Sequence, residues 1–231
     1  MLYREYGSTG VTVSALGFGG MRFPEPANID KMAEIPLAAF RRGVTYFDTA
    51  PFYCNDKSET ILGVAIQEMK KSGKPFYVST KTFGADESSI RKDLERSLDR
   101  LGVEAIDFYH IWCIKTPENF AERKRRGALE AMLECKAEGL VRHIAVSSHM
   151  SGEDTAAMLD EGVFEGVLLG YCAANFPFRE TALDAARRKG LAVVTMNPLG
   201  GGLIPKHPDR FDFIGASICL VGVTVIIYAP R

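Results

Sequence analysis

The sequence predicts a single α/β domain with the (β/α)8 TIM-barrel fold, and three observations lead to this prediction. Short apolar segments alternate with longer helical segments along the chain. The apolar segments are hydrophobic throughout, which indicates strands that are buried on both faces, as in a parallel sheet. Eight such segments can be counted, and that number favours a closed barrel over an open doubly wound sheet.

The elements are expected in a regular order after an N-terminal β-hairpin, Leu2–Tyr6 and Val11–Leu16. A short strand at 16–21 follows, and its glycines either bring backbone close to a ligand or pack tightly at the barrel mouth. Further strands are predicted at Val44–Asp48, Phe76–Lys81, Ile106–Trp112, His143–Ser148, Gly166–Tyr171, Leu191–Met196 and Val223–Tyr228. Helices are predicted at Asp30–Arg42, Lys57–Lys71, Glu87–Leu101, Ala128–Ala137, Glu153–Asp160, Arg179–Lys189 and Phe213–Leu220.

Composition and charge are those of an ordinary globular protein. The 231 residues are 46% hydrophobic and 25% charged, with a formal net charge of −1, and barrels of this length commonly form one domain, here 1–231. A nearly neutral chain lacks the excess of positive charge that is typical of proteins that bind nucleic acid or an anionic membrane. No apolar run approaches the roughly 20 residues of a membrane-spanning helix. The charges after Met1 also differ from the apolar core of a signal peptide.

Cysteine usage bears on the cellular compartment and on metal binding. The five cysteines are well separated and include no CxxC pair, so the usual spacing of zinc and iron–sulfur ligands is absent. An odd number of isolated thiols favours reduced cysteines. We therefore expect a cytoplasmic protein without a metal site.

Four polar residues occupy predicted strand ends. Asp48 ends one strand and Tyr53 follows after Pro51, while Lys81 and His110 follow the next two strands. In a parallel barrel these ends converge on the face that carries catalytic groups. An ammonium beside a phenol lowers the phenol's pKa from its usual value of about 10. The set therefore suits protonation of a carbonyl oxygen while a hydride reaches the carbon, with His110 orienting the oxygen. Singly, each residue is equally compatible with a structural role.

Several segments resemble the aldo-keto reductase family: Phe47–Tyr53, Ser79–Lys81, Tyr109–His110, Gly17–Met21 and Asn197–Gly202. The resemblance implies a barrel that binds NADP(H) and reduces aldehydes or ketones to alcohols. It implies Tyr53 as the proton donor, tuned by Asp48 and Lys81, with His110 in the oxyanion site. It also implies cofactor contacts from Gly20, Met21, Asp48, Ser147, Ser148, Met196, Asn197, Pro198, Leu199, Gly200 and Gly201.

The chain departs from the family pattern in places that concern the cofactor. Ser148 stands where the family usually has Asn, Leu168 where it often has Gln, and Met196 at or next to the place of a stacking aromatic. The family's segment after the eighth strand, which grips the adenosine 2′-phosphate and completes the barrel, has no counterpart before Arg231. We therefore expect weakened NADPH binding, and self-association through the barrel wall left uncovered.

Two other functions stay open at this point. A barrel that keeps the four polar residues but binds cofactor poorly would be a binding or regulatory protein, or a non-functional truncated form. An unrelated barrel enzyme, such as a phosphate-binding isomerase or an aldolase, would use Lys81 for its own chemistry. The preferred function is an oxidoreductase whose partner is a small-molecule carbonyl substrate, with no nucleic acid and no membrane involved.

Overall fold

The computed structural model describes residues 1–173 and 175–202. It contains a seven-stranded parallel sheet in which each strand pairs with the next one along the chain, preceded by a two-stranded antiparallel hairpin. Helices separate the strands from α1 onward. The predicted fold class is confirmed. The predicted helix Phe213–Leu220 and strand Val223–Tyr228 lie outside the described residues.

The strands are β1 Tyr3–Glu5, β2 Thr12–Ser14, β3 Phe18–Gly19, β4 Tyr46–Asp48, β5 Tyr77–Thr82, β6 Ile106–Ile114, β7 Val141–Ser148, β8 Gly166–Gly170 and β9 Ala192–Met196. The helices are α1 Ile29–Arg41, α2 Ser58–Lys71, α3 Glu87–Leu101, α4 Pro117–Arg125, α5 Ala128–Ala137, α6 Gly152–Met158 and α7 Glu180–Arg188. Short 3-10 turns occupy Leu159–Glu161, Phe176–Phe178 and Gly200–Gly202.

The N-terminal hairpin closes the end of the barrel at which the strands begin. Tyr6 is fully buried, and its ring lies 3.9 Å from that of Phe108 on β6. The Ser8 N–H donates to the Gly190 carbonyl at 2.8 Å. Gly7 makes this approach possible, because a Cβ there would lie 2.5 Å from the same carbonyl oxygen. The end of the barrel where the strands finish carries the candidate site.

Side chains of β5 alternate between the barrel interior and the helix layer, as the two-residue period of a strand requires. Tyr77 packs in the interior cluster, and Lys81 reaches Asp48 from the same face. Val78 packs with the helices, and Thr80 donates to Glu59 on α2. The inward positions therefore determine which polar groups can meet inside the barrel.

Some element boundaries differ from those predicted. Helix α4 was not predicted. Thr116 caps its N-terminus, where the threonine hydroxyl accepts from the Asn119 N–H, and Pro117 occupies the first turn. Its sequence is highly charged, so it lacks the apolar periodicity that identifies most helices. Strand β6 continues beyond Trp112 to Ile114. None of the helices within residues 1–173 and 175–202 is long and apolar enough to cross a membrane.

Glu59 is a buried carboxylate that connects two helices to the sheet. It is only 1% exposed, and its Oε1 accepts from the hydroxyls of Thr80 on β5 and Ser97 on α3, each at 2.7 Å. Its other oxygen faces Arg100 on α3 at 3.5 Å. One side chain of α2 therefore satisfies polar groups from two other elements, β5 and α3.

We expect Glu59→Ala to lower the free energy of unfolding by about 3 kcal/mol, because it leaves two buried hydroxyls without their acceptor. Urea unfolding followed by circular dichroism measures this. Glu68→Ala is the matched control, since Glu68 lies on the exposed surface of α2 and pairs there with Lys71. Equal losses of stability in the two variants would contradict the role assigned to Glu59.

Candidate active site

Lys81 and Asp48 form the ion pair that their positions on neighbouring strands predicted. Lys81 Nζ lies 2.8 and 2.7 Å from the two carboxylate oxygens and 2.6 Å from the Thr49 carbonyl oxygen. The Lys81 side chain is 1% exposed and that of Asp48 is 18% exposed. Burial lowers the pKa of Lys81 from its ordinary value, and Asp48 opposes that shift. Three acceptors match the three protons of a charged ammonium.

Tyr53 is held near this pair by a turn with unusual backbone geometry. Four residues of the turn have positive φ without being glycine: Phe52, Cys54, Asn55 and Asp56. Such a backbone persists only where neighbouring contacts determine it. Asp56 makes the contacts that hold this turn, since it accepts from the Phe52 N–H at 3.2 Å and pairs with Arg100 at 2.6 Å. Helix α3 thereby fixes the turn that carries Tyr53.

The electrostatic surroundings of Tyr53 differ from the prediction. Lys81 Nζ lies 5.1 Å from the centre of the Tyr53 ring. Burial, followed by the charges of Asp48 and Cys113, nevertheless raises the pKa of the Tyr53 phenol above its ordinary value. The sequence predicted a lowered pKa, and this was wrong because burial of the phenol raises its pKa and the charge of Asp48 acts in the same direction. The phenol is consequently protonated at neutral pH, which is the state that a proton donor requires.

His110 is not at the strand end, contrary to the prediction. Strand β6 continues past it to Ile114, and its inward side chain is fully buried at the level of Lys81, its register partner on β5. Its Nε2 lies 3.0 Å from Ser79 Oγ, and that hydroxyl donates to Asp48 Oδ1 at 2.8 Å. Burial and the charge of Lys81 lower the pKa of His110 to about 3, and the ring is neutral.

Trp112 is the inward residue of β6 that reaches the mouth of the barrel. Its ring meets that of Tyr53 edge to face, with centroids 5.4 Å apart. It stacks on Phe83 at 4.0 Å and lies nearly parallel to Phe52 at 6.5 Å. The sequence analysis did not single out this residue. The two-residue alternation from Phe108 through position 110 is the signal that could have identified it.

A cavity of about 240 Å³ opens beside Asp48 and Tyr53 at the ends of the strands. The predicted cofactor residues that line it, in addition to Asp48, are Met21, Met196, Asn197 and Pro198. Leu168 also lines it, from the inward face of β8. The lining is mostly apolar, with a carboxylate and a phenol at one side. This composition is typical of a small-molecule site.

Other predicted cofactor residues lie outside the cavity lining. The Ser148 side chain faces the helix layer, where its hydroxyl bonds to Thr155 at 2.7 Å and accepts from the Met150 N–H. Gly20 is buried and does not line the cavity, and a Cβ there would lie 2.6 Å from Ser58 Oγ. Leu199, Gly200 and Gly201 follow Pro198 into the 3-10 turn and do not line the cavity.

Fold and site together define an α/β-barrel protein with a candidate acid–base centre at its strand ends. Comparison with known proteins identifies the family. The profile of the Aldo/keto reductase family matches residues 15–212, and the chain belongs to this family of oxidoreductases that act on carbonyl groups. Membership removes the alternative of an unrelated isomerase or aldolase.

Individual relatives support the same assignment. The chain is 29% identical to an L-galactose dehydrogenase of Arabidopsis thaliana, over 93% of this chain and 72% of that protein. It is 29% identical to a D-galacturonate reductase of Fragaria ananassa, over 86% of this chain and 66% of that protein. An aldo-keto reductase from Bacillus halodurans, solved in its holo form, superposes with a TM-score of 0.74 at 23% identity. That match covers 91% of this chain and 70% of the other.

Members of the family generally use NAD(P)H, and the described residues fit the nicotinamide end of that cofactor. The hydroxyl of Ser147 is buried at the end of β7 without a hydrogen-bond partner in the described part of the chain. The Gly202 N–H donates to the Leu199 carbonyl at 3.1 Å, but a Cβ added at Gly201 or Gly202 would meet nothing within 4 Å, so a phosphate could approach the turn. Ser147, the apolar cavity and this turn could together hold the cofactor.

We expect the two members of the ion pair to shift the pKa of Tyr53 in opposite directions. Asp48→Asn removes a negative charge and leaves the ammonium uncompensated, so the pKa falls. Lys81→Met leaves the carboxylate alone, so the pKa rises further. The measurement is the ultraviolet absorbance of tyrosinate against pH, subtracting for each variant the same protein with Tyr53→Phe. Shifts in the same direction would contradict the compensation described here.

Proposed function

We propose that the chain reduces aldehydes or ketones to alcohols with NADPH, and that Tyr53 is the proton donor. The observation that carries this proposal is the buried Lys81–Asp48 pair beside Tyr53 at the edge of the cavity. When bound, NADPH supplies the hydride that adds to the carbonyl carbon. The residues of the chain supply the proton and the electrostatic setting.

Tyr53 gives its phenolic proton to the carbonyl oxygen as the C=O π electrons move onto that oxygen. The O–H bond of tyrosine breaks and the O–H bond of the alcohol forms, which leaves a tyrosinate. Lys81 stabilises this new negative charge from its position 5.1 Å from the ring centre. The Tyr53 side chain is only partly buried, so a solvent proton can restore the phenol.

We assign the cofactor's nicotinamide ring to the cavity, against the apolar side chains of Leu168 and Met196. The free Ser147 hydroxyl is suited to hydrogen-bond the carboxamide. Asn197 and Pro198 lead from the cavity into the glycine turn, which is suited to the pyrophosphate. Fluorescence titrations with NADPH and with NADH test this assignment and the preference between the two nucleotides.

We expect Tyr53→Phe to lower kcat for reduction of 4-nitrobenzaldehyde by about 10²–10⁴-fold, since it removes the general acid. The dissociation constant for NADPH should change little, because the ring remains. Tyr77→Phe is the matched control, as it removes a phenolic hydroxyl at the opposite end of β5. Undiminished turnover by Tyr53→Phe would show that the proton comes from another group.

The relatives named for L-galactose and D-galacturonate point to a sugar as the natural substrate. The exposed aromatic rings of Phe52 and Phe83 beside Tyr53 suit the C–H face of a sugar. We expect NADPH oxidation with D-galacturonate, and NADP⁺ reduction with L-galactose, at higher kcat/KM than with 4-nitrobenzaldehyde. Galactitol, which lacks the carbonyl, is the control. Higher kcat/KM for 4-nitrobenzaldehyde than for either sugar would argue against this substrate class.

A further inference from the structure

Three basic side chains follow three neighbouring strands at the end of the barrel that carries the candidate site. Lys115 comes directly after β6, His149 comes directly after β7, and Arg179 precedes α7 in the connection that follows β8. The His149 N–H donates to the Ile114 carbonyl at 2.7 Å, which places the backbones of Lys115 and His149 next to each other. A Cβ added at Gly152 would lie 3.5 Å from Arg179 Cα, so the connection before α7 packs against the start of α6. The three residues, the basic cluster, therefore share one side of the barrel mouth.

The basic cluster has no acidic partner within residues 1–173 and 175–202. None of its side chains forms an ion pair or a hydrogen bond there, and Arg179 Nε is buried without a partner. The acids of the neighbouring helices bond to hydroxyls instead: Glu118 to Thr116, Glu153 to Thr181 and Asp154 to Ser151. Grouped positive side chains that no carboxylate balances produce a positive potential, which attracts anions.

The members of the cluster also act on one another. Burial, followed by the charges of Arg179 and Lys115, lowers the pKa of His149 from its ordinary value. The imidazole is therefore neutral at about pH 7, and two cations lie beside it. An anion bound between the three side chains would be stabilised by both cations, and it would favour the charged form of the histidine as well.

The cluster lies beside the cavity and apart from the turn that suits the cofactor's pyrophosphate. Ser147 pairs in register with Leu168, which lines the cavity, and His149 lies two residues further along the chain. The turn that suits the pyrophosphate follows β9 instead. With the nicotinamide in the cavity, the mouth above β6, β7 and β8 is left for the part of the substrate that does not react.

We propose that Lys115, His149 and Arg179 bind a carboxylate at the end of the substrate remote from its carbonyl group. The preferred substrates are then aldehyde acids, such as uronates, rather than neutral aldoses. This inference rests on the proposed carbonyl reduction and adds its substrate class. The guanidinium and the ammonium pair with the carboxylate, and the neutral imidazole donates one hydrogen bond to it. The transfer of the hydride and of the Tyr53 proton is unchanged.

D-Galacturonate and D-galactose form a matched pair of substrates, because they differ only in the carboxylate on the terminal carbon. We expect kcat/KM of the wild type to be about 10–100-fold higher for D-galacturonate, as a charge-assisted contact provides. Arg179→Met should remove most of this preference by raising KM for D-galacturonate, with KM for D-galactose unchanged. Arg179→Lys keeps the charge and should retain part of the preference. Equal kcat/KM for the two sugars in the wild type would overturn the inference.

Two controls separate the carboxylate contact from other electrostatic effects. Lys74→Met removes an exposed cation just before β5, at the opposite end of the barrel, and should leave the preference intact. Fluorescence titration with NADPH distinguishes the substrate from the cofactor as the source of the anion. The dissociation constant should be the same in the wild type and in Arg179→Met. Weaker NADPH binding with an unchanged sugar preference would assign the cluster to a cofactor phosphate and overturn the inference.

Binding can also be measured without turnover. L-Galactonate and galactitol are the reduction products of the two sugars, and NADPH reduces neither. Isothermal titration calorimetry uses the full 231-residue chain with NADPH present. The wild type should bind L-galactonate more tightly than galactitol by about 10-fold or more, and Arg179→Met should bind the two alike. Equal affinities in the wild type would count against the carboxylate contact.

The imidazole of His149 reports where the anion binds. A carboxylate favours the imidazolium, so L-galactonate should raise the pKa of His149 in a proton NMR titration, and galactitol should not. The signal is assigned by its loss in His149→Asn. If L-galactonate raises this pKa but no sugar is reduced, the proposed function fails and the carboxylate site stands. If the sugars are reduced and L-galactonate leaves the pKa of His149 unchanged, the inference fails alone.

Discussion

The buried ion pair between Lys81 and Asp48 is the interaction on which the rest of the site depends. A buried ammonium is tolerated only when its charge and all its protons are satisfied. The chain meets this requirement by placing the end of β4 against β5, so that Asp48 and the Thr49 carbonyl both reach Lys81. The backbone around Asp48 is fixed from both sides, since its carbonyl accepts from Gly20 N–H and Thr49 N–H donates to Ser79.

The compensated pair also explains how the neighbouring groups are organised. One Asp48 oxygen accepts from Ser79 as well as from Lys81, and Ser79 in turn fixes His110. With the lysine charge balanced, Tyr53 keeps its proton. The ammonium contributes most once the phenol has lost that proton and a new negative charge lies nearby. The site is thus arranged for the products of proton transfer rather than for the resting phenol.

The sequence predicted the fold and the neighbouring positions of Asp48 and Lys81, for identifiable physical reasons. Strand ends such as Asp48 and Lys81 can be predicted because the apolar runs stop there. Neighbouring parallel strands then bring the two side chains together. His110 was wrongly placed at a strand end, because Ile111 and Trp112 extend the apolar run and β6 continues past it to Ile114. Ser147 and Ser148 could not both face inward, which the alternation of side chains already implies. The direction of the Tyr53 pKa shift depends first on how far the phenol is buried and then on the charge of Asp48, and sequence spacing shows neither.

The hairpin at the base of the barrel has a consequence for the order of assembly. Gly7 and Ser8 dock against Gly190 and Ala192, so the hairpin finds its partner only near the other end of the described chain. Contacts this distant in sequence close late and slow the folding of a domain. Until the ribosome has released β9, the ring of Tyr6 has only part of its final pocket. The ring of Tyr6, fully buried in the folded barrel, is therefore exposed for as long as the intervening strands take to be synthesised.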